Sequence, residues 1–495
     1  MLDAALQERL RAAVGDDGMI SEPAALQTYA CDGLTGRRVS PAAVVLPTTT
    51  GQVAQVVRAC AESDVPFVAR GAGTGLSGGA LPVADGVVIG LSRMRAILDV
   101  DLENQQVTVQ PGVTNLEVSK AVRPLGYFYA PDPSSQQVCT IGGNVAENSG
   151  GAHCLKYGFT THHVLAATFV TARGEIAQLG GSVRDAAGYD LLGVVIGSEG
   201  TLGIVTEVVL RIVRVPESTE TVLAAFSTMG DAGEAVSRII AAGITPAAIE
   251  MMDRLAIQAC EEIVHAGYPD CGAALIVELD GPAVESSAFL RQVLDICTAS
   301  GSTETRVAAS ESERALIWKA RKAAFASMGR ISPSYYVQDG VIPRTRLREV
   351  LESIGTLSTT YGLRVANVFH AGDGNLHPLV LYDDTEPGAS DRALELAGLI
   401  LESCIAAGAA LADAAADTAA ALAIGTAPTS SAASAATVVS APLAEAHVNR
   451  STAAARFMLP PILAGARALM AARRRASPAA AARTGSAARA SPARA

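Results

Sequence analysis

Two histidines stand close together in the stretch FHAGDGNLHP, residues 369–378, where they could act jointly on a ligand. His370 ends one predicted β run and His377 begins the next, with the tight-turn signal Asp-Gly-Asn at 373–375 between them. A hairpin would bring the two imidazoles near each other, and convergent imidazoles can ligate Zn²⁺, Mn²⁺ or Fe²⁺. A catalytic metal needs about three protein ligands, so two unrelated hairpin histidines are the alternative interpretation.

A glycine-rich loop, VARGAGTGLSGGALP at 68–82, contains a match to the G-x-G-x-x-G dinucleotide motif at 73–78. That motif requires a preceding strand, which PFVA supplies, and a helix that opens on the glycines. The residues after the loop are turn formers that lead to another β run at 87–91, which disfavours a nicotinamide dehydrogenase. The glycines instead allow successive backbone N–H groups to converge on an anion, with Arg70 adding charge. The alternative is a structural turn.

Two further stretches are also rich in glycine and other small residues. Residues 131–151 read PDPSSQQVCTIGGNVAENSGG, a turn-rich segment with hydroxyls and paired glycines. Residues 197–207 read GSEGTLGIVTE, in which small residues run into a β strand. Three such elements in one domain suggest a single long, phosphate-containing ligand threaded between them.

The elements around these stretches predict an α+β protein. Helices are expected over 2–14 and 50–63, the second after a run of threonines that can cap its start. After Pro216, helical patterns alternate with β runs such as AALIVEL at 273–279. The predicted organisation is an N-terminal helical segment (1–37), a first domain (38–217), a second domain (218–407) and an alanine-rich, low-complexity tail (408–495) with too few large side chains for a packed core.

Composition narrows the class of protein. The 495 residues carry a net charge of −11, which argues against a nucleic-acid or anionic-membrane surface. Eight cysteines without a C-x-x-C pair indicate neither a zinc ribbon nor a disulfide framework, and they fit a reducing cytosol. The N-terminal stretch has no apolar core of a signal peptide, and no run is long and apolar enough to predict a membrane span.

In their order and spacing, RGAGTGLSGG, PDPSSQxxxTIGGNVAxNxGG and GSEGTLGIVTE resemble the vanillyl-alcohol oxidase/p-cresol methylhydroxylase (PCMH) superfamily. The closest branch is that of glycolate oxidase flavin subunits and D-lactate dehydrogenases, and the resemblance spans about 20–407. It implies a PCMH-type FAD-binding domain of two α+β subdomains, followed by an α+β cap domain with an antiparallel sheet. The FAD would be non-covalent, because the 70–79 loop contains no histidine, and the lone His153 is given a structural role.

By this resemblance the 70–79 loop would hold the pyrophosphate, while Pro47 and Thr48 would border the adenine. The two later stretches would line the ribityl, isoalloxazine and adenine parts. The residues expected to contact FAD are Arg70, Gly71, Ala72, Gly73, Thr74, Gly75, Ser77, Gly78, Pro131, Asp132, Ser134, Ser135, Thr140, Gly142, Gly143, Asn144, Asn148, Gly150, Gly151, Glu199, Gly200, Gly203, Ile204 and Val205.

The resemblance also assigns catalytic residues in the second domain. His370 and His377 would supply two ligands of a divalent metal (Zn, Mn or Fe), and Asn375 would lie near the substrate. Arg321, in a W-x-x-R pattern on a helix predicted over 310–326, would clamp a substrate carboxylate with two hydrogen bonds. A solvated basic helix face is the alternative for Arg321. Three further residues would approach the pocket: Tyr335, Tyr336 and Arg344.

The implied reaction is oxidation of a small D-2-hydroxy acid, of the glycolate or D-lactate type, to the 2-oxo acid by hydride transfer to flavin N5. A base must take the hydroxyl proton, and a metal would lower the pKa of that hydroxyl. The implied partners are a second flavin subunit and an iron–sulfur subunit, and a homodimer is also compatible with the sequence. The expected location is the cytoplasm, with peripheral attachment to the inner face of the membrane through those partners.

The chain departs from this family near its C-terminal end. Relatives carry a Gly-Glu-His-Gly motif, whose glutamate is the third metal ligand and whose histidine is the proposed base, but residues 412–416 here read Ala-Asp-Ala-Ala-Ala. Glu445 and His447 resemble the lost pair only superficially. The abrupt change of composition near Gly408 suggests a shifted reading frame or a divergent C-terminus, which sequencing the gene across that point would settle. The alternative function is therefore a flavin-binding but catalytically impaired subunit of a glycolate oxidase-like complex.

Overall fold

The computed structural model describes residues 2–34, 37–182 and 188–408, together with the backbone of 410–411. In the first half of the chain, short helices and three small sheets alternate. Its helices are α1 (Ala4–Val14), α2 (Pro23–Leu26), α3 (Thr50–Glu62), α4 (Asn115–Val122), α5 (Ile141–Glu147), α6 (Cys154–Tyr157) and α7 (Leu191–Val195). Its strands are β1 (Met19–Ile20), β2 (Ala43–Val45), β3 (Phe67–Arg70), β4 (Val87–Gly90), β5 (Ile97–Asp101), β6 (Gln106–Val109), β7 (Tyr127–Phe128), β8 (Val164–Thr171), β9 (Ile176–Gly180), β10 (Gly203–Arg211) and β11 (Val213–Arg214).

The glycine-rich loop leaves the end of a small parallel sheet. Strands β2, β4 and β3 are parallel neighbours, and β1 adds an antiparallel edge. The buried face of α3, with Val53 and Val57, packs against Leu6 and Leu10 of α1. The loop after β3 leads directly to β4 with no helix between them, so the helix required by a dinucleotide motif is absent from this part of the structure, as the sequence predicted.

The second sheet is antiparallel, in the order β5-β6-β10-β8-β9. Its core contains Val208 and Leu210 of β10 together with Ile141 and Val145 of α5. The sequence predicted only turns over 131–151, so α5 is a correction. A third, two-stranded sheet pairs β11 with β7.

The second half of the chain surrounds one large sheet. Its helices are α8 (Met229–Ala241), α9 (Arg254–Val264), α10 (Ala283–Ala299), α11 (Glu311–Ser327), α12 (Leu347–Tyr361) and α13 (Ala389–Ala406). Its strands are β12 (Ser218–Phe226), β13 (Ala248–Asp253), β14 (Ala273–Gly281), β15 (Ser302–Val307), β16 (Ser334–Val337), β17 (Gly340–Val341), β18 (Val365–His370), β19 (Asn375–Leu376), β20 (Pro378–Tyr382) and β21 (Ala410–Leu411).

This large sheet is antiparallel and covered by helices on both faces. Its central order is β15-β12-β14-β13-β18. Along β14, Leu275 and Val277 belong to one hydrophobic core, while Ala274 and Ile276 belong to the core on the other side. Burial on both faces explains why this strand is a continuous apolar run in the sequence rather than an alternating one.

The two histidines lie where this sheet branches. Strand β18 pairs with β13, β19 and β20, and the sheet continues from β19 to β17 and β21. His370 is therefore the last residue of a central strand rather than of an exposed edge.

The α+β class, the antiparallel sheet of the second half and the three predicted helices are confirmed, the helices with shifts of two residues or fewer. All eight cysteines are free thiols. Within the described ranges, no helix is long and apolar enough to cross a membrane. The predicted low-complexity tail, with Glu445 and His447, lies outside the described residues after Gly408, apart from the backbone of β21.

Candidate active site

One cavity of about 1070 Å³ brings together the sequence features of both halves of the chain. Its wall contains residues from all three glycine-rich stretches and also His370, Asn375 and His377. This volume is slightly above the usual range for small-molecule and cofactor sites, about 300–1,000 Å³. The cavity is thus large enough for an extended cofactor with a small substrate beside it.

Most residues predicted to contact FAD line this cavity. Those on the wall are Arg70, Gly71, Ala72, Gly73, Thr74, Gly75, Ser77, Ser134, Ser135, Thr140, Gly142, Gly143, Asn144, Asn148, Gly150, Gly151, Glu199, Gly200, Gly203, Ile204 and Val205. Gly78, Pro131 and Asp132 are not on the wall, and neither are Pro47 and Thr48. Pro131 O accepts a hydrogen bond from Asn115, behind the wall.

Close packing of the loop requires glycine at several positions. A Cβ at residue 71 would overlap Thr140 Oγ1, and one at residue 33 would overlap the carbonyl oxygen of Gly75. Gly73 has φ +69°, a left-handed conformation that glycine adopts without strain. The loop therefore presents backbone rather than side chains to the cavity, as a surface that binds an anion requires.

The Thr140 hydroxyl connects this loop to α5. Its Oγ1 accepts a hydrogen bond from Gly143 N and caps the start of the helix, which ends at Asn148 in the left-handed conformation. These two caps are visible in the sequence, but Gly142 and Gly143 weaken the helical signal and conceal the helix.

The hairpin geometry predicted for the two histidines is present. The ring centroids of His370 and His377 lie 5.1 Å apart at an interplanar angle of 89°. Between them Gly374 has φ +80°, and a Cβ there would overlap Ile342 O, so this turn position must be glycine. Asp373 Oδ1 accepts a hydrogen bond from Asn375 N and closes the turn.

A buried carboxylate, Glu250, holds both His370 and Arg321. His370 Nδ1 lies 2.8 Å from Glu250 Oε1, and Arg321 Nη2 lies 2.5 Å from Glu250 Oε2. Arg321 also donates to Phe369 O at 3.3 Å. The Arg321 side chain is 2% exposed and is not on the cavity wall, so it lies beneath the histidines rather than beside them.

The pKa values of the two imidazoles are shifted in opposite directions. Burial disfavours a charge on His370, but Glu250 outweighs it and raises the pKa of His370. Burial and the charges of His370 and Arg321 hold the pKa of His377 well below its ordinary value. His377 is therefore a neutral imidazole at pH 7, with a lone pair available as a proton acceptor or metal ligand.

The described residues contain no group of three His, Cys, Asp or Glu side chains that could hold a metal ion. Asp339 is the carboxylate nearest to His377, with Oδ2 3.5 Å from Nδ1. The place of the missing Gly-Glu-His-Gly motif, at 412–416, lies outside the described residues.

His153 joins the two halves of the chain. Its Nδ1 lies 3.0 Å from Asp132 Oδ2 and its Nε2 lies 3.1 Å from Glu278 Oε1. Burial opposes a charge, but Asp132 and Glu278 outweigh it and raise the pKa of His153 to about 10. His153 is thus a half-buried imidazolium between two carboxylates, and it is not part of the cavity wall.

Of the three remaining residues that were predicted to approach the pocket, two line the cavity and one does not. Tyr335 and Tyr336 line the cavity, whereas Arg344 does not and donates to Gly372 O at 3.0 Å. Sequence reasoning missed Glu250 and Glu278. A signal existed for both, because each carboxylate interrupts the apolar residues of a strand, and a buried charge needs a partner.

Comparison with known proteins agrees with this geometry. Residues 41–180 match the FAD binding domain family, and residues 215–412 match the family described as FAD linked oxidases, C-terminal domain. The chain is 50% identical over 384 residues to the glycolate oxidase subunit GlcD of Escherichia coli (strain K12), covering 77% of each chain. It is 33% identical over 360 residues to a D-lactate dehydrogenase of Anaerostipes hadrus, covering 71% of this chain and 76% of the relative.

A solved structure has the same fold. That of p-cresol methylhydroxylase with substrate bound superimposes with a TM-score of 0.69, covering 85% of this chain and 91% of the other, at 18% sequence identity. The two family matches define an FAD-linked oxidoreductase, and the superposition shows that its fold is of the PCMH type. Within that class, the chain belongs to the family of FAD-linked oxidases that includes the GlcD glycolate oxidase subunits and D-lactate dehydrogenases. The family and the FAD cofactor predicted from the sequence are confirmed.

Proposed function

We propose that this chain oxidises a small D-2-hydroxy acid, of the glycolate or D-lactate type, to the 2-oxo acid with FAD as the electron acceptor. The observation that carries the proposal is the shared cavity. Residues suited to an extended phosphate-containing cofactor and a pair of histidines suited to proton transfer lie on the same wall. The names of the relatives, glycolate oxidase subunit and D-lactate dehydrogenase, support this substrate class.

The residues fit FAD because the glycine-rich loop presents backbone, with its N–H donors, to the cavity. The glycines at 71 and 73 and the Arg70 guanidinium are suited to a pyrophosphate. When bound, FAD supplies the redox chemistry by accepting a hydride from the substrate carbon that carries the hydroxyl. The protein must then hold the substrate in position and take up the hydroxyl proton.

The proposed proton acceptor is His377. Its imidazole is neutral and lies on the cavity wall, while His370 beside it is held by Glu250. Asn375 Oδ1 is buried and has no hydrogen-bond partner among the described residues. Because buried polar atoms are normally paired, we assign Asn375 Oδ1 to a donor on the bound substrate or flavin. Asn375 would then help to hold the bound molecules in place, while His377 takes the hydroxyl proton.

A divalent metal on His370 and His377 stays a prediction. Two perpendicular imidazoles support it, but a catalytic zinc site uses about three protein ligands and the described residues offer no such set. No step of the proposed reaction therefore depends on a metal. Metal analysis of the purified protein and of a His370→Ala, His377→Ala double variant would test the prediction, since only bound metal that depends on both histidines supports it.

Arg321 stays a prediction as the carboxylate clamp. Its guanidinium is paired with Glu250, so binding a substrate carboxylate would require that pair to open. The partner subunits and the peripheral cytoplasmic location are also proposals, and the word "subunit" in the name of the GlcD relative supports the first. Co-purification of the tagged full chain from its own cells, followed by iron and flavin analysis, tests them.

A second candidate is a flavin-binding subunit with impaired catalysis. The absence of a Gly-Glu-His-Gly motif from the whole sequence favours it. The two candidates differ in turnover. The full chain loaded with FAD is given D-lactate or glycolate and an artificial electron-acceptor dye, and the 2-oxo acid is trapped as a hydrazone. Product formed from D-lactate and not from L-lactate supports an active D-2-hydroxy acid dehydrogenase. Retained flavin without product supports the impaired subunit.

A further inference from the structure

A short stretch of the first half of the chain, residues 151–157, lies against the second half, and we call it the boundary segment. It begins at Gly151 on the cavity wall and contains helix α6, which packs against β13. Ala152 packs against one of the two hydrophobic cores of the large sheet and Leu155 against the other. The boundary segment therefore joins the glycine-rich wall to the sheet that carries the histidines.

The boundary segment also reaches the turn between His370 and His377. A Cβ at residue 372 would lie 2.7 Å from Leu155 Cδ2, so Leu155 fits against this turn only because residue 372 is glycine. Gly372 N donates to Ile249 O at 3.1 Å, which holds the turn on β13. A shift of the boundary segment would therefore move the glycine-rich wall and the histidine turn relative to each other.

His153 contacts both halves of the chain from the middle of the boundary segment. Its Nδ1 lies 3.0 Å from Asp132 Oδ2 in the first half, and its Nε2 lies 3.1 Å from Glu278 Oε1 in the second. Its backbone N donates to Asp132 Oδ1 at 3.2 Å. The imidazole also lies over the Trp318 ring, with centroids 5.4 Å apart at an interplanar angle of 31°. One side chain thus holds the segment from both sides.

Asp132 connects His153 to the cavity wall. The residues that follow it, 133–135, line the cavity, and a Cβ at residue 151 would overlap the Asp132 carbonyl. Lys322 Nζ, from the second half, lies 3.3 Å from Asp132 Oδ2. Burial opposes ionisation of Asp132, but the charges of His153 and Lys322 outweigh it and hold its pKa below the ordinary value. Asp132 is therefore an anion that packs directly against two parts of the wall.

The charge of His153 separates two carboxylates that would otherwise repel each other. Glu278 is buried, where Arg314 Nη2 contacts it at 2.8 Å and Trp318 Nε1 donates to it. These contacts keep Glu278 ionised in the second half, as the two cations beside Asp132 do in the first. Like charges repel strongly where water is largely excluded. A neutral residue at position 153 would therefore push Asp132 and the wall away from Glu278.

We propose that His153 is a positioning residue that sets the separation between the glycine-rich wall and the histidine pair. It does so by holding the boundary segment between Asp132 and Glu278. FAD binding depends on the position of the wall, and hydride transfer depends on the separation, since a misplacement of about 1 Å can cost about 10²-fold in rate. The expectation for the rate rests on the proposed function, whereas the expectation for FAD binding does not.

The test compares wild type with His153→Gln, His153→Arg and Lys156→Met. Glutamine removes the charge, whereas arginine keeps it, can donate to both carboxylates and can stack on Trp318. Lys156 also belongs to the boundary segment and pairs with Asp280 of the second half, but it is not on the cavity wall. Lys156→Met therefore breaks an ion pair between the same two halves and is the matched control.

The first readout is the dissociation constant of FAD, measured by titration of the apoprotein. We expect His153→Gln to raise it about tenfold or more, His153→Arg to recover part of the loss, and Lys156→Met to match wild type. The second readout is the emission wavelength of Trp318, the only tryptophan of the chain. Trp318 is buried at the boundary, so its emission should shift to longer wavelength in His153→Gln alone, as water enters between the halves.

Turnover provides a third readout that depends on the proposed function. At saturating FAD, His153→Gln should lose about tenfold or more in kcat for glycolate or D-lactate, with little change in KM, because His153 is not on the cavity wall. A wild-type protein that binds FAD but forms no product would contradict the proposed function. The FAD titration and the Trp318 emission would still decide the role of His153.

A purely stabilising role for His153 has a different signature. If His153→Gln lowers the melting temperature but keeps the wild-type FAD affinity and emission wavelength, the proposal is overturned. An equal loss of FAD affinity in Lys156→Met overturns it as well, because any weakening of the boundary would then suffice. If His153→Gln does not fold, Asp132→Asn breaks the same pair without leaving facing carboxylates. It should also weaken FAD binding, and an unchanged FAD affinity would overturn the proposal.

Discussion

Arg321 Nη2 and Glu250 Oε2 lie 2.5 Å apart inside the second half of the chain, and the second oxygen of the same carboxylate holds His370 Nδ1 at 2.8 Å. Glu250 and His370 are directly opposite each other in the pairing of β13 with β18. The sheet therefore fixes the carboxylate beneath the imidazole, and the arginine balances its charge. One buried residue thus links the stability of the large antiparallel sheet to the orientation of a histidine on the cavity wall.

A Glu250→Gln variant should be both unstable and inactive. It leaves the Arg321 guanidinium buried without a counter-charge, and breaking one partner of a buried pair costs about 3–5 kcal/mol. Urea denaturation measures the loss in the free energy of unfolding, and flavin reduction measures the loss of activity. The matched control is Glu349→Gln, which breaks a solvent-exposed pair with Arg346 and should change stability little. Equal effects of the two substitutions would contradict the role of Glu250.

Substitution of Gly71 should reduce FAD occupancy through a steric effect. In Gly71→Ala the new methyl group overlaps Thr140 Oγ1, so the loop or the start of α5 must move. The flavin absorbance per protein after purification measures occupancy. Adding Thr140→Ala removes the clashing oxygen and should recover part of the occupancy, at a cost of about 1 kcal/mol for the lost helix cap.

The control for that substitution is Gly355→Ala. Gly355 lies in α12 with no atom near the position of a new Cβ, so alanine there should stabilise the helix by about 0.5–1 kcal/mol. Full FAD occupancy in Gly71→Ala would show that the loop does not need glycine at this position.

Stability should fall in alkaline solution because His153 must remain charged. Its pKa is raised from 6.5 to about 10 in the folded protein, so its stabilising contribution is complete below about pH 6.5 and is lost as the pH rises through about 10. The free energy of unfolding measured from pH 6 to 10 should decline more steeply for wild type than for His153→Gln. His265→Asn is the control, since this exposed histidine has φ +52°, which asparagine tolerates. Parallel curves for wild type and His153→Gln would refute the imidazolium between two carboxylates.

Stability should also fall in acidic solution, because Glu278, one of the two carboxylates paired with His153, must remain ionised. Burial opposes ionisation of Glu278, but His153 and Arg314 outweigh it and lower its pKa to about 2, so its contribution is lost as the pH falls from about 4.5 through 2. A Glu278→Gln variant should therefore show a flatter decline in the free energy of unfolding over this range. An unchanged slope would mean that other carboxylates dominate acid unfolding.

The conformation of the glycine-rich loop also predicts that NAD⁺ does not act as the electron acceptor. Because the chain passes from β3 to β4 without the helix that holds a dinucleotide pyrophosphate, NAD⁺ should not reoxidise the reduced flavin. Addition of NAD⁺ to the substrate-reduced protein under anaerobic conditions should leave the flavin band bleached, whereas a quinone dye should restore it. Formation of NADH would contradict this interpretation of the glycine-rich loop.

The glycine-rich wall of the cavity was accessible from sequence because its signals are local. A glycine is required where a Cβ would overlap a neighbour, and such positions cluster in short stretches such as 71–75. The hairpin of His370 and His377 was accessible for the same reason, since only a short turn separates them. Local sterics and turn chemistry therefore predicted both elements.

The contacts of the charged residues behind the cavity wall could not be predicted from local sequence signals. Glu250 reaches His370 only through the pairing of strands distant in the chain, and Asp132 reaches His153 and Lys322 across the boundary between the two halves. The sequence placed Arg321 correctly on a helix but could not show which side of that helix meets the cavity. The direction of a side chain at an interior helix depends on tertiary packing, which a pattern in one segment does not contain.

The most direct test of the central claim is the visible spectrum of the FAD-loaded full chain, recorded anaerobically before and after addition of D-lactate or glycolate. We predict that the flavin band bleaches with these acids and persists in a His377→Gln variant, whose proton acceptor is gone and whose rate should fall by about 10²–10⁴. A flavin band that persists in wild type with both acids would contradict the proposed oxidation.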